Sequence, residues 1–269
     1  MNKYIYGAIG YTELQKNKHK VIIFADMHDT LKSCDESSLQ INMAEWMKNN
    51  LEKCKILLEE VPREGVTLNE LWSESEHTQS LKNLYLENQD KIVGLDIRPH
   101  IIAFSWEILE SKPIDINFRD YLESIDIFYT VSNVFIKNKL KEYNIDYLCC
   151  HTLGKHFIEI KEKFQDFNKN CSNLGLLDKK LTEIYQKYRT FLYSFNNHID
   201  DIMEWYMCAN IIINKNKTVI IHAGLAHTDK TIDWLKSYNY KIIEERGITD
   251  MNDFPKFHNN MNGCIKINF

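Results

Sequence analysis

Four short runs of apolar and β-branched residues constrain the fold of this chain more than any other feature of its sequence. They read KVIIFA (20–25), KILLEE (55–60), KIVGLDI (91–97) and TVIIHAG (218–224). Runs that are apolar almost throughout, rather than at alternate positions, are typical of strands buried on both faces of a parallel sheet. Two further runs, at 240–245 and 264–269, predict strands near the edge of that sheet.

Helical patterns lie between these runs. The segment 37–53 predicts an amphipathic helix that is capped by Ser37 or Ser38 and whose apolar face comprises Leu39, Met43, Trp46, Met47 and Leu51. Alternation of strand and helix predicts right-handed βαβ connections. From about residue 99 to about residue 216 the helical pattern is almost continuous. We therefore predict one α/β domain over residues 1–269, with a mostly parallel central sheet flanked by helices and a large helical insertion at about 99–216.

Charge and cysteine usage exclude several classes of protein. The net charge is −5 with both signs interspersed, so we expect no nucleic-acid partner. No segment approaches the roughly 18 uncharged residues that a membrane span needs, and the first twenty residues do not resemble a signal peptide. We therefore expect a cytoplasmic protein without membrane association. Seven cysteines without a CxxC pair predict reduced thiols rather than a disulfide framework or a structural zinc site.

Titratable residues follow or end all four apolar runs. In an open parallel sheet, ligands bind at the carboxyl ends of the strands, where the loops converge. The residues in question are Asp26, His28 and Asp29 after the first run, Glu59 and Glu60 at the end of the second, Asp96 and Arg98 at the third, and His222 and His227 at the fourth. Their shared position predicts a functional site at this edge of the sheet.

Several of these groups also have an ordinary structural explanation. Aspartate is a common turn and cap residue, which applies to Asp26 and Asp29. Asp96 and Arg98 fit a structural ion pair as well as a binding role. His222 lies inside an apolar run, as a core histidine would.

The spacing of two histidines is more specific. ADMH (25–28) and GLAH (224–227) each place a small residue three positions before a histidine, directly after a predicted strand. A small residue allows a tight turn or a close approach of the backbone to a ligand. His28 and His227 with a carboxylate such as Glu59 would form a three-ligand site with one open position, as in a catalytic zinc or manganese centre.

The motifs resemble those of the TraB/Tiki, ChaN-like and erythromycin-esterase-like superfamily. The segments concerned are VIIFADMHDT, ILLEEVPREG, KIVGLDIRP and TVIIHAGLAHTDKTIDWLKSYNYKII. The resemblance comprises two Gly-x-x-His-type motifs after strands, an acidic residue after the second strand and a long helical insertion. Gly224 and His227 agree with the family in order and spacing, whereas Ala25 stands where the family has glycine. The resemblance covers roughly the first hundred and the last fifty residues.

This resemblance implies an erythromycin-esterase/ChaN-like fold and a set of functional residues. Members of the superfamily include metal-dependent proteases, an esterase that opens macrolide lactones and a haem-binding lipoprotein. By motif position, His28 and His227 become metal ligands or catalytic bases, with Glu59 as their acidic partner and Asp26 beside them. The segment 203–211 resembles the family helix before the last motif, which would bring Asp201 or Glu204 near the site.

Together these observations predict a hydrolase of a peptide, ester or lactone bond in a small-molecule or peptide substrate. Arg98, Asp96 and Glu60 are the expected substrate-binding residues, with Glu60 also an alternative to Glu59 as the functional acid. The expected cofactor is a divalent metal (zinc, manganese or iron). Two alternatives remain open: a non-catalytic protein that binds haem, a metal or a metabolite on the same scaffold, and a scaffold that has lost its activity.

Overall fold

The computed structural model describes residues 3–27, 39–62, 79–101, 115–144, 151–253 and 264–267. The chain divides into two compact units. The first unit comprises Met1–Glu64, Ser75–Asp96 and Met207–Phe269, and the second comprises Gly65–Glu74 and Ile97–Tyr206. The range predicted as a helical insertion, about 99–216, overlaps the second unit over most of its length. Whether the whole chain acts as a single domain stays a prediction.

Nine strands and seven helices follow one another in the described ranges. The strands are β1 (Lys3–Tyr6), β2 (Gly10–Lys16), β3 (His19–Asp26), β4 (Leu39–Asn42), β5 (Cys54–Leu58), β6 (Ile92–Gly94), β7 (Thr218–Gly224), β8 (Lys241–Gly247) and β9 (Cys264–Ile267). The helices are α1 (Met43–Lys48), α2 (Gln79–Glu87), α3 (Arg98–Ile101), α4 (Phe118–Tyr143), α5 (His151–Asn173), α6 (Leu181–Ile213) and α7 (Leu225–Ser237).

The first unit is built on a six-stranded sheet with the order β6-β5-β7-β3-β2-β8. The strands β6, β5, β7 and β3 run parallel to one another, while β2 is antiparallel to both of its neighbours. The side chains of β3, β5 and β7 are almost all buried, as expected for central strands. The prediction of an α/β fold with a mostly parallel sheet flanked by helices is confirmed.

Register brings the carboxyl ends of the four parallel strands to one edge. Leu58 on β5 pairs with Gly94 on β6 and with His222 on β7, and Asp26 at the end of β3 pairs with Gly224 at the end of β7. Residues that follow these positions therefore emerge side by side.

The beginning of the chain differs from the prediction. It contributes β2 to the main sheet and β1 to a second, three-stranded sheet with the order β4-β1-β9. The run at 264–269 thus enters the smaller sheet, whereas the run at 240–245 is confirmed as the edge strand β8. A tight turn joins β2 to β3 at Asn17, whose φ of 55° lies in the left-handed region that asparagine tolerates.

The helix predicted from residue 37 begins later. Residues 39–42 form β4, which pairs in parallel with β1, and α1 begins at Met43. Asn42 is the N-cap, since its side-chain oxygen accepts a hydrogen bond from the backbone N–H of Ala44 at 2.9 Å. Ser37 and Ser38 lie outside the described residues. Met43, Trp46 and Met47 are buried as predicted.

Three long helices dominate the second unit. The buried face of α4 comprises Phe118, Tyr121, Leu122, Ile125, Phe128, Tyr129, Ser132 and Ile136. Asn144 ends α4 in the left-handed conformation, with a φ of 50°. Within the ranges that the structure covers, no helix combines the length and the apolar character that crossing a bilayer requires.

The cysteines only partly match the expectation of reduced thiols. Cys54, Cys171 and Cys208 carry reduced thiols. Burial raises the pKa of Cys54 and that of Cys171, which keeps both protonated near neutral pH. Cys264 is disulfide-bonded, so the expectation is wrong for this residue.

His19 makes the stability of the first unit depend on pH. Its Nδ1 lies 2.6 Å from the hydroxyl of Tyr240, both side chains are buried, and burial lowers the pKa of His19 below 6.5. As the pH falls through 6.5, His19 becomes protonated in the unfolded chain while it stays neutral in the folded protein, so the free energy of unfolding falls.

We predict that the urea midpoint drops less between about pH 7.5 and about pH 5.5 in His19→Gln than in the wild type. Equal drops would contradict this.

Candidate active site

Glu59 connects the ends of two neighbouring strands. It follows β5 directly, and its backbone N–H donates to the carbonyl of His222 on β7 at 3.1 Å. Its buried carboxylate reaches further, because Oε2 accepts a hydrogen bond from the backbone N–H of Gly224 at 2.6 Å. The carboxylate of Glu59 is thereby fixed at the carboxyl edge of the sheet.

The electrostatic environment of Glu59 favours its negative charge. Gly224 is the N-cap of α7, so the carboxylate lies at the positive end of a 13-residue helix. A charge-assisted hydrogen bond from a backbone N–H adds to this effect, since it stabilises the ionised form of the acceptor.

His227 lies beside Glu59. It is the third residue of α7, and its Nε2 is 3.5 Å from Oε1 of Glu59. Their side chains are only 10% and 6% exposed. The backbone of this turn is tied in place, because the hydroxyl of Thr231 donates to the carbonyl of His227 at 2.8 Å. The structure thus brings together two of the residues that the sequence singles out.

Asp26 lies on the other side of β7. It is the last residue of β3, its side chain is buried, and its Oδ1 accepts from the backbone N–H of Met27 at 2.7 Å. The preceding Ala25 pairs with Gly10 on β2. A Cβ on Gly10 would lie 1.9 Å from the carbonyl oxygen of Ile248 and 3.2 Å from the Cβ of Ala25, so the backbone of Ile248, more than Ala25, requires glycine at this position.

The loops after β5 and β6 are joined through their backbones. The N–H of Asp96 donates to the carbonyl of Glu60 at 3.1 Å. This approach requires a glycine at position 94, because a Cβ there would lie 2.6 Å from the same carbonyl oxygen. Glu60 and Asp96 are both buried. Their predicted contact with substrate stays a prediction.

Other predicted residues belong to the second unit. Arg98 begins α3 and its Nη1 lies 2.5 Å from Oδ1 of Asp200 in an ion pair. Asp201 and the buried Glu204 lie on α6. The roles proposed for these residues stay predictions.

Two candidate histidines have different outcomes. His28 lies outside the described residues, as does Asp29. His222 is completely buried, and its Nε2 is 3.0 Å from the carbonyl oxygen of Gly7. Because a carbonyl oxygen only accepts, Nε2 carries the proton and donates, which is the behaviour of the core histidine expected at this position.

Two side chains of the candidate site, Glu59 and His227, are of the kinds that bind a divalent metal. Within the part of the chain that the structure describes, no group of three or more potential ligands is arranged to hold a metal ion. Glu59 and His227 supply two donors. Two ligands of a tetrahedral zinc, each about 2.1 Å from the ion, lie about 3.4 Å apart. The 3.5 Å between Oε1 and Nε2 matches that separation.

Sequence reasoning missed the part played by the backbone of Gly224. The sequence predicted a tight turn or a close approach of the backbone to a ligand at this glycine. The backbone conformation does not require glycine, because Gly224 has a φ of −54°, which any residue adopts, and the close approach to a ligand stays a prediction. Its contribution is the N–H that fixes the carboxylate of Glu59. Every residue except proline carries this donor, so no side-chain pattern signals it.

We predict that the hydrogen bond between Gly224 and Glu59 stabilises the first unit. Glu59→Ala leaves the N–H of Gly224 without its acceptor and should lower the free energy of unfolding by about 1–3 kcal/mol. Glu59→Gln keeps a side-chain oxygen that can accept and should lose less. Urea unfolding of both variants tests this, and equal losses would contradict it.

Comparisons with models of known protein families, with curated proteins and with solved structures found no match for this chain. The resemblance to the superfamily therefore rests on the motif residues themselves. What the site does follows from the chemistry of Glu59, His227 and their neighbours.

Proposed function

We propose that the protein is a hydrolase that cleaves a peptide, ester or lactone bond at the carboxyl edge of its main sheet. One observation carries this proposal: the buried pair of Glu59 and His227, with 3.5 Å between Oε1 and Nε2, where parallel strands end. Ligands bind at this edge in open α/β sheets. A buried carboxylate beside a buried imidazole is a common element of acid–base catalysis.

The pair has a clear division of roles. Glu59 is held by the N–H of Gly224, and its second oxygen faces the imidazole of His227. An oriented imidazole can take a proton from a water molecule that attacks a substrate carbonyl, and can then return that proton to the leaving group. The negative charge of Glu59 stabilises the imidazolium formed in between.

A divalent metal is the proposed cofactor. With the metal bound, Glu59 and His227 act as its ligands, and the acid–base roles described above belong to the metal-free protein. Glu59 and His227 would hold it together with His28, whose motif follows the neighbouring strand β3. When bound, such a metal polarises a carbonyl and makes a bound water more acidic. The donor types and their separation support this assignment.

The placement of the two motif strands supports the proposed membership of the TraB/Tiki, ChaN-like and erythromycin-esterase-like superfamily. ADMH and GLAH begin almost two hundred residues apart in the chain, yet β3 and β7 are direct neighbours. Ala25 and Ala223 pair, as do Asp26 and Gly224. The two motifs therefore start one residue apart in register at the same edge of the sheet, as residues of a common site would.

The metal can be tested without an activity assay. We predict that protein purified without chelator contains near-stoichiometric zinc, manganese or iron by mass spectrometry, and that His28→Ala and His227→Ala each lose most of it. His100→Ala, which removes a histidine of the second unit, should retain it. A wild type without metal, even after incubation with these ions, would contradict the metal assignment and leave the acid–base reaction to be tested on its own.

Hydrolysis is tested with panels of peptide, ester and lactone substrates. For any substrate turned over, Glu59→Gln should lower kcat/KM by at least about 100-fold, because it removes the charge that supports His227 while preserving shape. His100→Ala again serves as the control. Full activity in Glu59→Gln and in His227→Ala would refute the proposed function. Bound metal without turnover of any substrate would favour the non-catalytic binding protein.

A further inference from the structure

Helix α4 has a second apolar surface besides its buried face. Ile127, Val131 and Val134 are 51%, 39% and 54% exposed. Spacings of four and three residues place them along one line of the helix. We call these three residues the α4 stripe. Since the core of the second unit uses other residues of α4, the stripe does not contribute to that core.

The composition of the α4 stripe is costly for an isolated surface helix. β-branched residues lose side-chain freedom in a helix and are poorer helix formers than lysine or glutamate. Single exposed apolar residues are common on protein surfaces, but aligned neighbours mark an interaction site. The stripe therefore indicates a surface that packs against another molecule.

Charges on either side of the stripe identify a partner. Asp120 and Glu123 precede it, and Lys137 and Lys141 follow it, all four exposed. Two exposed charges of opposite sign at these ends are paired within the chain, Arg119 with Asp178 and Glu142 with Lys139. The remaining charges make this face of α4 acidic at its amino end and basic at its carboxyl end, with the apolar stripe between them. Such a surface is complementary to an antiparallel copy of itself, whereas a parallel copy would bring like charges together.

We propose that α4 docks against α4 of a second copy of this chain in an antiparallel, two-fold symmetric contact centred near Val131. In that arrangement Ile127 packs against the partner's Val134, and Val131 meets the partner's Val131. Asp120 faces the partner's Lys141, and symmetry repeats every contact. The inference is independent of the proposed hydrolase activity, because it concerns a surface of the second unit.

The contact is a weak one. Three aliphatic side chains and two charged pairs per helix bury less area than a stable interface of standard size. Association should therefore depend on concentration over the micromolar to submillimolar range and weaken with added salt, which screens the exposed pairs.

Sedimentation velocity over this range tests the contact. The wild type should shift from the 32.0 kDa monomer towards a species of twice that mass. Val131→Glu places two like charges at the symmetry axis and should weaken association at least about ten-fold. Asn133→Glu adds the same charge at an exposed position about 160° around the helix from Val131 and should have little effect. Far-UV circular dichroism verifies that each variant is folded.

Charge reversal tests the antiparallel orientation. Asp120→Lys and Lys141→Glu should each weaken association about three- to ten-fold, and the double variant should restore it because the opposite charges meet again. A wild type that stays monomeric at every concentration would overturn the proposal and leave the stripe to a different partner. Dimers that tolerate Val131→Glu, or a double variant no better than the single ones, would overturn it as well.

Discussion

The candidate site depends on one hydrogen bond, from the backbone N–H of Gly224 to the carboxylate of Glu59. It crosses from the end of β5 to the end of β7, at the point where β7 passes into α7. The same contact stabilises the buried negative charge of Glu59 at the positive end of a helix dipole. It also sets the position of the carboxylate oxygen that faces His227. Without it, the carboxylate would be buried beside a donor that lacks its acceptor.

The parallel register of four strands supports that bond. Leu58, His222 and Gly94 lie at one level of the sheet, and Asp26 pairs with Gly224 two residues further along. On one side of this level, the backbones that follow β5 and β6 pack closely together. Only glycine at position 94 permits this contact. On the other side, Gly10 pairs with Ala25 and allows the backbone of Ile248 to approach β2 closely. Small residues on strands next to the site thus contribute as much to its geometry as the titratable ones.

Sequence patterns predicted the parts of the structure that depend on strong apolar periodicity. All four parallel strands and the juxtaposition of Glu59 with His227 follow from apolar runs that are typical of strands buried on both faces. Strands β1, β2 and β4 escaped prediction because they are short or mix polar and apolar residues, and their pairing is decided by distant segments. Residues 39–42 carry a helical apolar pattern yet pair with β1, so tertiary contacts overrode a local signal. The N–H donor of Gly224 is a backbone group, so the amino-acid sequence does not indicate it.

The order of strands has a consequence for how the protein is made. Strand β7 occupies a central position between β5 and β3, although about 160 residues of chain separate it from β5. During synthesis, the edges of β3 and β5 that pair with β7 stay unpaired until residue 224 has left the ribosome. Open apolar edges of this kind attract other chains. A nascent chain would therefore be both inactive and prone to aggregate until its last parallel strand inserts, which makes the late insertion of β7 the step at which chaperones would matter most.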